Sequence, residues 1–343
     1  MRAICLIIAA FLSIAATMPT PPAALAPYIH DGVFDPGDYG WMRARFDGAS
    51  PADQTASDSI QQWLKACDTA GKDAMRAKLR AMGIADAELT GAPVSDPLCT
   101  EAGFAPYLPD VHSWAEFQRD VAAARPVVGA YLLAVRRAEE IGGPRGPTLA
   151  DALLARKLGE QMLRFGMTWG EGEMKDAPPL SPDVKAIVVA RLAAATMQRD
   201  HANTEWLKAI VAKQGWPRIS VVGERAAGAA WLLVQHADAD PAFQLRVLRL
   251  MKPLIAINEV SKKDYAYLYD RVMLKLTGKQ LYATQMRACA NGRRQPQPLD
   301  DPPNVDARRK AMGLDSLADY EEQMTKLLGP CPAESLGHSA ATP

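Results

Sequence analysis

The sequence lacks a surplus of charge of either sign: 39 lysines and arginines stand against 39 aspartates and glutamates. A nucleic-acid binder shows a basic excess, so the balance excludes nucleic acid as an expected partner. After residue 16 no apolar run reaches the roughly 20 residues that a membrane-spanning helix needs. A Ser-centred nucleophile elbow, a phosphate-binding loop, a dinucleotide fingerprint and an H-E-x-x-H zinc motif are all missing. The reaction classes that short motifs announce are thereby removed. No cofactor is expected, and the preferred reading carries no metal. A repeat period is absent too, and strand-like alternation is rare.

What is present begins at the first residue. Met1-Arg2 followed by the apolar run Ala3 to Ala16 has the layout of a signal peptide. Cleavage fits after Ala15 or after Ala26, and Pro27 makes the second a poorer site. The leader is read as residues 1–26 and the mature chain as periplasmic or secreted, with no stable membrane span once the signal is gone. An uncleaved anchor is the alternative. Cys5 leaves with the leader, and Cys67, Cys99, Cys289 and Cys331 remain. An even number in an oxidising compartment suggests disulfides. Three pairings are open. The nearest-neighbour choice, Cys67 with Cys99 and Cys289 with Cys331, would staple each end of the chain. Free buried thiols are the alternative, because a chain of this length does not depend on staples. The wide spacings do not resemble a zinc site.

Helix signals dominate after residue 40. Ser50-Pro51-Ala52-Asp53 offers an N-cap, a proline at the first helical position and an acidic third residue. Ile60, Trp63, Leu64 and Cys67 follow at helical spacing, and residues 72–82 read as a second helix stopped by Gly83. Residues 91–112 read as a loop. A capping box at Ser113 starts a helix that Arg125-Pro126 should interrupt. Further helices are expected over 148–166, 181–200, 203–214, 223–236, 240–258 and 261–278, then a Pro-rich loop over 292–304 and two short tail helices. Ala226, Ala227, Gly228, Ala229 and Ala230 allow close approach, so the 223–236 helix should be central. The expected fold is all-α, a multi-helix bundle-like domain with short extended segments near 279–287. The loop over 166–181, which carries Trp169, Glu171 and Glu173, divides an N-terminal helical region (40–166) from a C-terminal helical domain (181–329).

Polar residues concentrate in three places. The densest is the helix-to-helix corner from Gln235 to Gln244, with His236, Asp238 and Asp240 between them. Gln235 and Gln244 each share an apolar stripe, where a buried amide needs partners. In one reading Asp240 caps a helix, Asp238 makes a turn and His236 is a bonded corner residue. In another, His236 carries protons and Asp238 or Asp240 orients it. A third has His236, Asp238 and Asp240 ligate a metal, with no second histidine nearby in sequence. The helix after Ser261 is apolar nearly all round yet carries Asp270 and Arg271, whose charges need partners. They make either a structural ion pair or a grip for an anionic ligand. In the third place, Gln280, Tyr282 and Thr284 alternate with Leu281, Ala283 and Gln285, as an extended segment with one polar side would.

Taken in order, Trp216-Pro217, Gly223, Trp231 to Asp238, Tyr265 to Leu268, Asp270-Arg271-Val272, Gly278 to Gln285, Arg308-Arg309 and Gly313-Leu314 resemble an uncharacterised bacterial family, a domain of unknown function. Its pattern reads Q-H-A-D, D-R-V and Q-x-Y-G-T-Q, and this chain departs at Ala283, where the family has glycine. The resemblance covers about residues 185–320. It implies that Gln235, His236, Asp238, Asp270, Arg271, Gln280, Tyr282, Thr284 and Gln285 occupy the family's polar motif positions. It implies no activity. The functional expectation is a proton-transfer or hydrolytic site for a small polar or peptide-like ligand. There His236, Asp238 and Asp240 would do the chemistry, and Gln235, Gln244, Asp270, Arg271, Gln280, Tyr282, Thr284 and Gln285 would bind. The alternative is a non-enzymatic helical binding or assembly module of the cell envelope, in which the same residues form a core network.

Overall fold

A computed structural model of the chain describes residues 18–90, 96–103, 113–142, 146–170, 179–290, 293–329 and 331. The fold is all-α. Eleven α-helices occur among the described residues: α1 (Pro51–Ala81), α2 (Pro97–Ala102), α3 (Trp114–Gly142), α4 (Leu149–Gly170), α5 (Pro182–Gln214), α6 (Ile219–Val222), α7 (Glu224–Gln235), α8 (Pro241–Met251), α9 (Lys262–Thr277), α10 (Val305–Ala311) and α11 (Leu317–Leu328). Two antiparallel hairpins accompany them, β1 (Ile29–His30) with β2 (Val33–Phe34), and β3 (Met286–Ala290) with β4 (Arg293–Pro296).

Several helices run longer than local signals suggest. The expected break before residue 72 does not occur. Ile60, Trp63, Cys67, Gly71, Met75 and Leu79 are one buried stripe, and packing outweighs the ~1 kcal/mol that a helical glycine costs. Pro126 lies inside α3 without ending it. The two helices expected either side of residue 201 are one, because the buried stripe Ala193, Thr196, Asn203 and Leu207 continues through the join. α2 falls within the loop expected over 91–112, and β4 within the Pro-rich loop over 292–304.

α7 is central. Its Ala226, Ala229 and Ala230 are buried, and it packs on α4, α5, α6, α8 and α9. The largest core cluster gathers Leu79, Leu153, Leu207, Leu233, Val247 and Leu268, so α4 contributes to the same core as the helices beyond the 166–181 loop. A second cluster lies between α3 and α5, around Phe117, Val128 and Ile187. Near the N-terminus, Leu25, Phe34, Ile60 and Trp63 pack beside the Cys67–Cys99 disulfide. The second disulfide joins Cys289 of β3 to Cys331. Both are the nearest-neighbour pairs.

The first described residues already take part in the core. Leu25 is fully buried, and the Trp63 indole donates to the Pro19 carbonyl at 2.9 Å. Residues 1–17, with the apolar run of the expected leader, lie outside the described residues, as do Glu171 and Glu173. Among the described residues no helix is long and apolar enough to cross a membrane.

Candidate active site

Three helices deliver a charged cluster to the C-terminal end of α7. On α4, Glu160 and Arg164 stand four residues apart and so share a face. α5 presents Asp200, and His236 is the C-cap residue of α7. His236 Nδ1 bonds to the Glu160 carboxylate, which is fully buried and also accepts from Gln161 Nε2 at 3.0 Å. Arg164 pairs with Glu160 and holds both oxygens of Asp200, at 2.7 and 3.1 Å. Facing ligand atoms of Glu160, Asp200 and His236 lie within 4.8 Å of one another. The imidazole is reachable from solvent, its side chain 16% exposed, and its Nε2 bonds to none of the described residues.

The two carboxyls respond oppositely to this setting. Burial raises both, but at Glu160 the His236 hydrogen bond and the charges of His236 and Arg164 prevail and hold it below its ordinary value. At Asp200 burial prevails over Arg164 and carries it to about 6. The result is a fixed carboxylate and a protonatable one close to the same histidine.

The partner of His236 is therefore Glu160, not Asp238 or Asp240. Asp238 accepts from Arg271 Nε at 2.8 Å, from the same guanidinium's terminal nitrogen, and from Lys275 Nζ. Burial would raise its carboxyl, but Lys275 and Arg271 hold it far below the usual carboxylate range. Asp240 caps α8 through the Phe243 N–H at 2.9 Å and pairs with Lys208 at 2.6 Å. The metal set His236, Asp238 and Asp240 is thus not assembled, because each aspartate already neutralises a cation. Glu160, Asp200 and His236 have ligand chemistry and spacing, but Arg164 sits among them and supplies the positive charge.

Gln244 and Gln235 differ. Gln244 Nε2 donates to the carbonyls of Val234 (2.9 Å) and Gln235 (3.3 Å) at the C-terminal end of α7, and its Oε1 accepts from Lys275 at 3.2 Å. Gln235 is buried and its Oε1 has no partner among the described residues. Arg271 connects the two clusters: after burial and Asp238, the charge of Asp200 acts on its guanidinium.

Asp270 points elsewhere. Its carboxylate accepts from the N–H groups of Leu281 (2.8 Å), Tyr282 (3.0 Å) and Thr284 (2.8 Å) and from Thr284 Oγ1 (2.9 Å). Gln280 closes the same loop, donating to the Gln285 and Gln297 carbonyls and accepting from the Gln285 N–H. Gln285 Nε2 donates to Thr284 Oγ1 at 3.2 Å, and the Tyr282 ring stands edge-on to Tyr269. Arg309, 1% exposed, donates to the Tyr282 and Ala283 carbonyls and lies over Tyr320. The segment is a turn knotted about one carboxylate, not an extended edge. Ala283 sits in it at φ 55°, the left-handed region that glycine adopts freely.

Glu160, Arg164, Asp200 and Lys275 are absent from the sequence expectation. The available signal was charge inside apolar stripes: Leu153 and Glu160 are seven residues apart on α4, and Asp200 stands between buried Thr196 and Asn203 on α5.

A family model matches residues 149–329, and its description is a family of unknown function (DUF6624). The match takes in α4, and with it Glu160 and Arg164. No curated protein and no solved structure matches the chain.

Proposed function

The chain belongs to this family of unknown function, and we propose that it is an exported proton-transfer or hydrolytic enzyme acting on a small polar or peptide-like substrate. His236 is the proton carrier, Glu160 orients it, Asp200 is a protonatable carboxyl beside them and Arg271 faces the substrate's anionic side. One observation carries this reading: a partly exposed imidazole is held through Nδ1 by a fully buried carboxylate, while its Nε2 is left unbonded among the described residues. In the neutral ring that arrangement puts the proton on Nδ1 and the lone pair on Nε2. Arg271, 29% exposed on its side chain, keeps its charge in its pair with Asp238 and feels the charge of Asp200.

Export rests on the leader pattern and is compatible with the two disulfides. The burial of Leu25 favours the cut after Ala15, since a cut after Ala26 would remove a core residue.

The reading is tested with a panel of small esters, amides and phosphoesters with anionic groups. We expect at least one to be turned over by the wild-type chain, with His236→Gln lowering kcat by about 100-fold or more. A panel with no turnover, or turnover indifferent to His236→Gln, contradicts it. The envelope-module alternative draws support from the Asp270 knot, where the Asp270 carboxylate and the Gln280 amide are used internally. It predicts no turnover and a binding partner instead.

A further inference from the structure

A cavity of about 430 Å³, within the range of small-molecule sites, opens on the other half of α7. No residue of the acid–base cluster lines it. Glu224, Gly228 and Trp231 form its α7 wall, at positions i, i+4 and i+7 of one stripe. Lys262 and Asp264, from the first turn of α9, face them, and Trp216 closes one side. Gly228 makes the room: a Cβ placed there would meet nothing within 4 Å.

The lining is selective in its chemistry. Glu224 and Lys262 are exposed and cancel in charge, which leaves Asp264 as the net charge of the cavity. Burial lifts the Asp264 carboxyl to about 6; its hydrogen bond comes from Ser261, the one cation acting on it is Lys157, and it has no ion-pair partner among the described residues. A half-buried carboxylate of this kind favours a cation. The indoles of Trp216 and Trp231 offer apolar surface and faces that attract a cation. The Trp231 N–H is buried without a partner among the described residues.

We propose that this cavity binds a small organic cation, an ammonium group on an apolar body, with the charge against Asp264 and the body against Trp216 and Trp231. The proposal is independent of the reaction assigned to His236. A neutral ligand of the same shape would leave Asp264 without its counter-ion, and an anion would be repelled by it.

The experiment titrates the full chain with choline, tetraethylammonium, butylammonium and phenethylammonium, each beside its neutral isostere, following tryptophan fluorescence. At least one cation should bind at least tenfold more tightly than its isostere. Asp264→Asn should weaken that binding tenfold or more. Gly228→Leu fills open space with a better helix former, so the chain should fold, and it should abolish binding. No binding by any cation, equal binding of the isostere, or unchanged binding in Gly228→Leu overturns the proposal.

Discussion

Asp270 and Arg271 are consecutive residues of α9, and they lead to opposite situations. Asp270 is fully buried, and four donors of one turn converge on its carboxylate. Arg271 faces the other way, to Asp238 just past the end of α7, where both side chains are about three-tenths exposed and the charge of Asp200, from the His236 cluster, reaches the guanidinium. The first region is closed around its carboxylate: Asp270 and Gln280 spend their polar atoms on shaping a loop. The second is open, because its charges are balanced but remain reachable. Polar motif residues close in sequence thus divide into those that fix backbone and those that keep side-chain exposure.

The strongest way to break this contrast is to remove the knot. Asp270→Ala strands four donors away from water, at a cost of about 3–5 kcal/mol, read as a lower urea midpoint. A loss below 1 kcal/mol would mean that the knot is dispensable. His236→Gln should behave inversely, lowering kcat on a turned-over substrate by about 100-fold, equivalent to roughly 2.7 kcal/mol in the barrier, while unfolding shifts by less than about 1 kcal/mol. A large stability loss there would make the corner a core network like the other.

A pH series sharpens the open side. The Asp200 carboxyl is raised to about 6 when folded, against about 4 unfolded. The folded chain therefore binds that proton more tightly. Its contribution to stability is complete below about pH 4 and is lost as pH rises through 6. Wild type should lose on the order of 2 kcal/mol relative to Asp200→Asn between pH 4 and pH 7. Glu101, at about 7, and Asp264, at about 6, titrate in the same direction but are common to both chains and drop out of the difference. Asp238 has the opposite sign: its lowered carboxyl contributes above about pH 4 and loses that contribution only in stronger acid. A flat difference between the chains would show that Asp200 is not raised. The smallest effect belongs to the knot. Ala283→Gly relieves a left-handed alanine and should raise stability by up to about 1 kcal/mol in thermal melts.

Helix type and order were legible because buried stripes and caps are local. Ser50, Ser181, Asp240 and Ser261 cap the helices that their sequences announce. Helix length was not, because Gly71 and Pro126 carry breaking signals that tertiary packing overrides. His236 stood out as the histidine of a polar corner, and Arg271 as a charge on an otherwise apolar helix. Their partners did not, since the contact between His236 and Glu160 spans 76 residues and that between Arg271 and Asp238 spans 33, distances over which spacing says nothing. Asp240 was ambiguous for a physical reason: an aspartate before proline and four residues from a histidine looks the same whether it caps a helix, as it does here, or orients a ring.

The central claim, that buried Glu160 orients a His236 whose Nε2 is left for substrate, is tested most directly by long-range ¹H–¹⁵N NMR of the imidazole. We predict that neutral His236 carries its proton on Nδ1 in the wild type and reverts to the Nε2–H tautomer in Glu160→Ala. An Nε2–H tautomer in the wild type, unchanged by Glu160→Ala, would contradict the account.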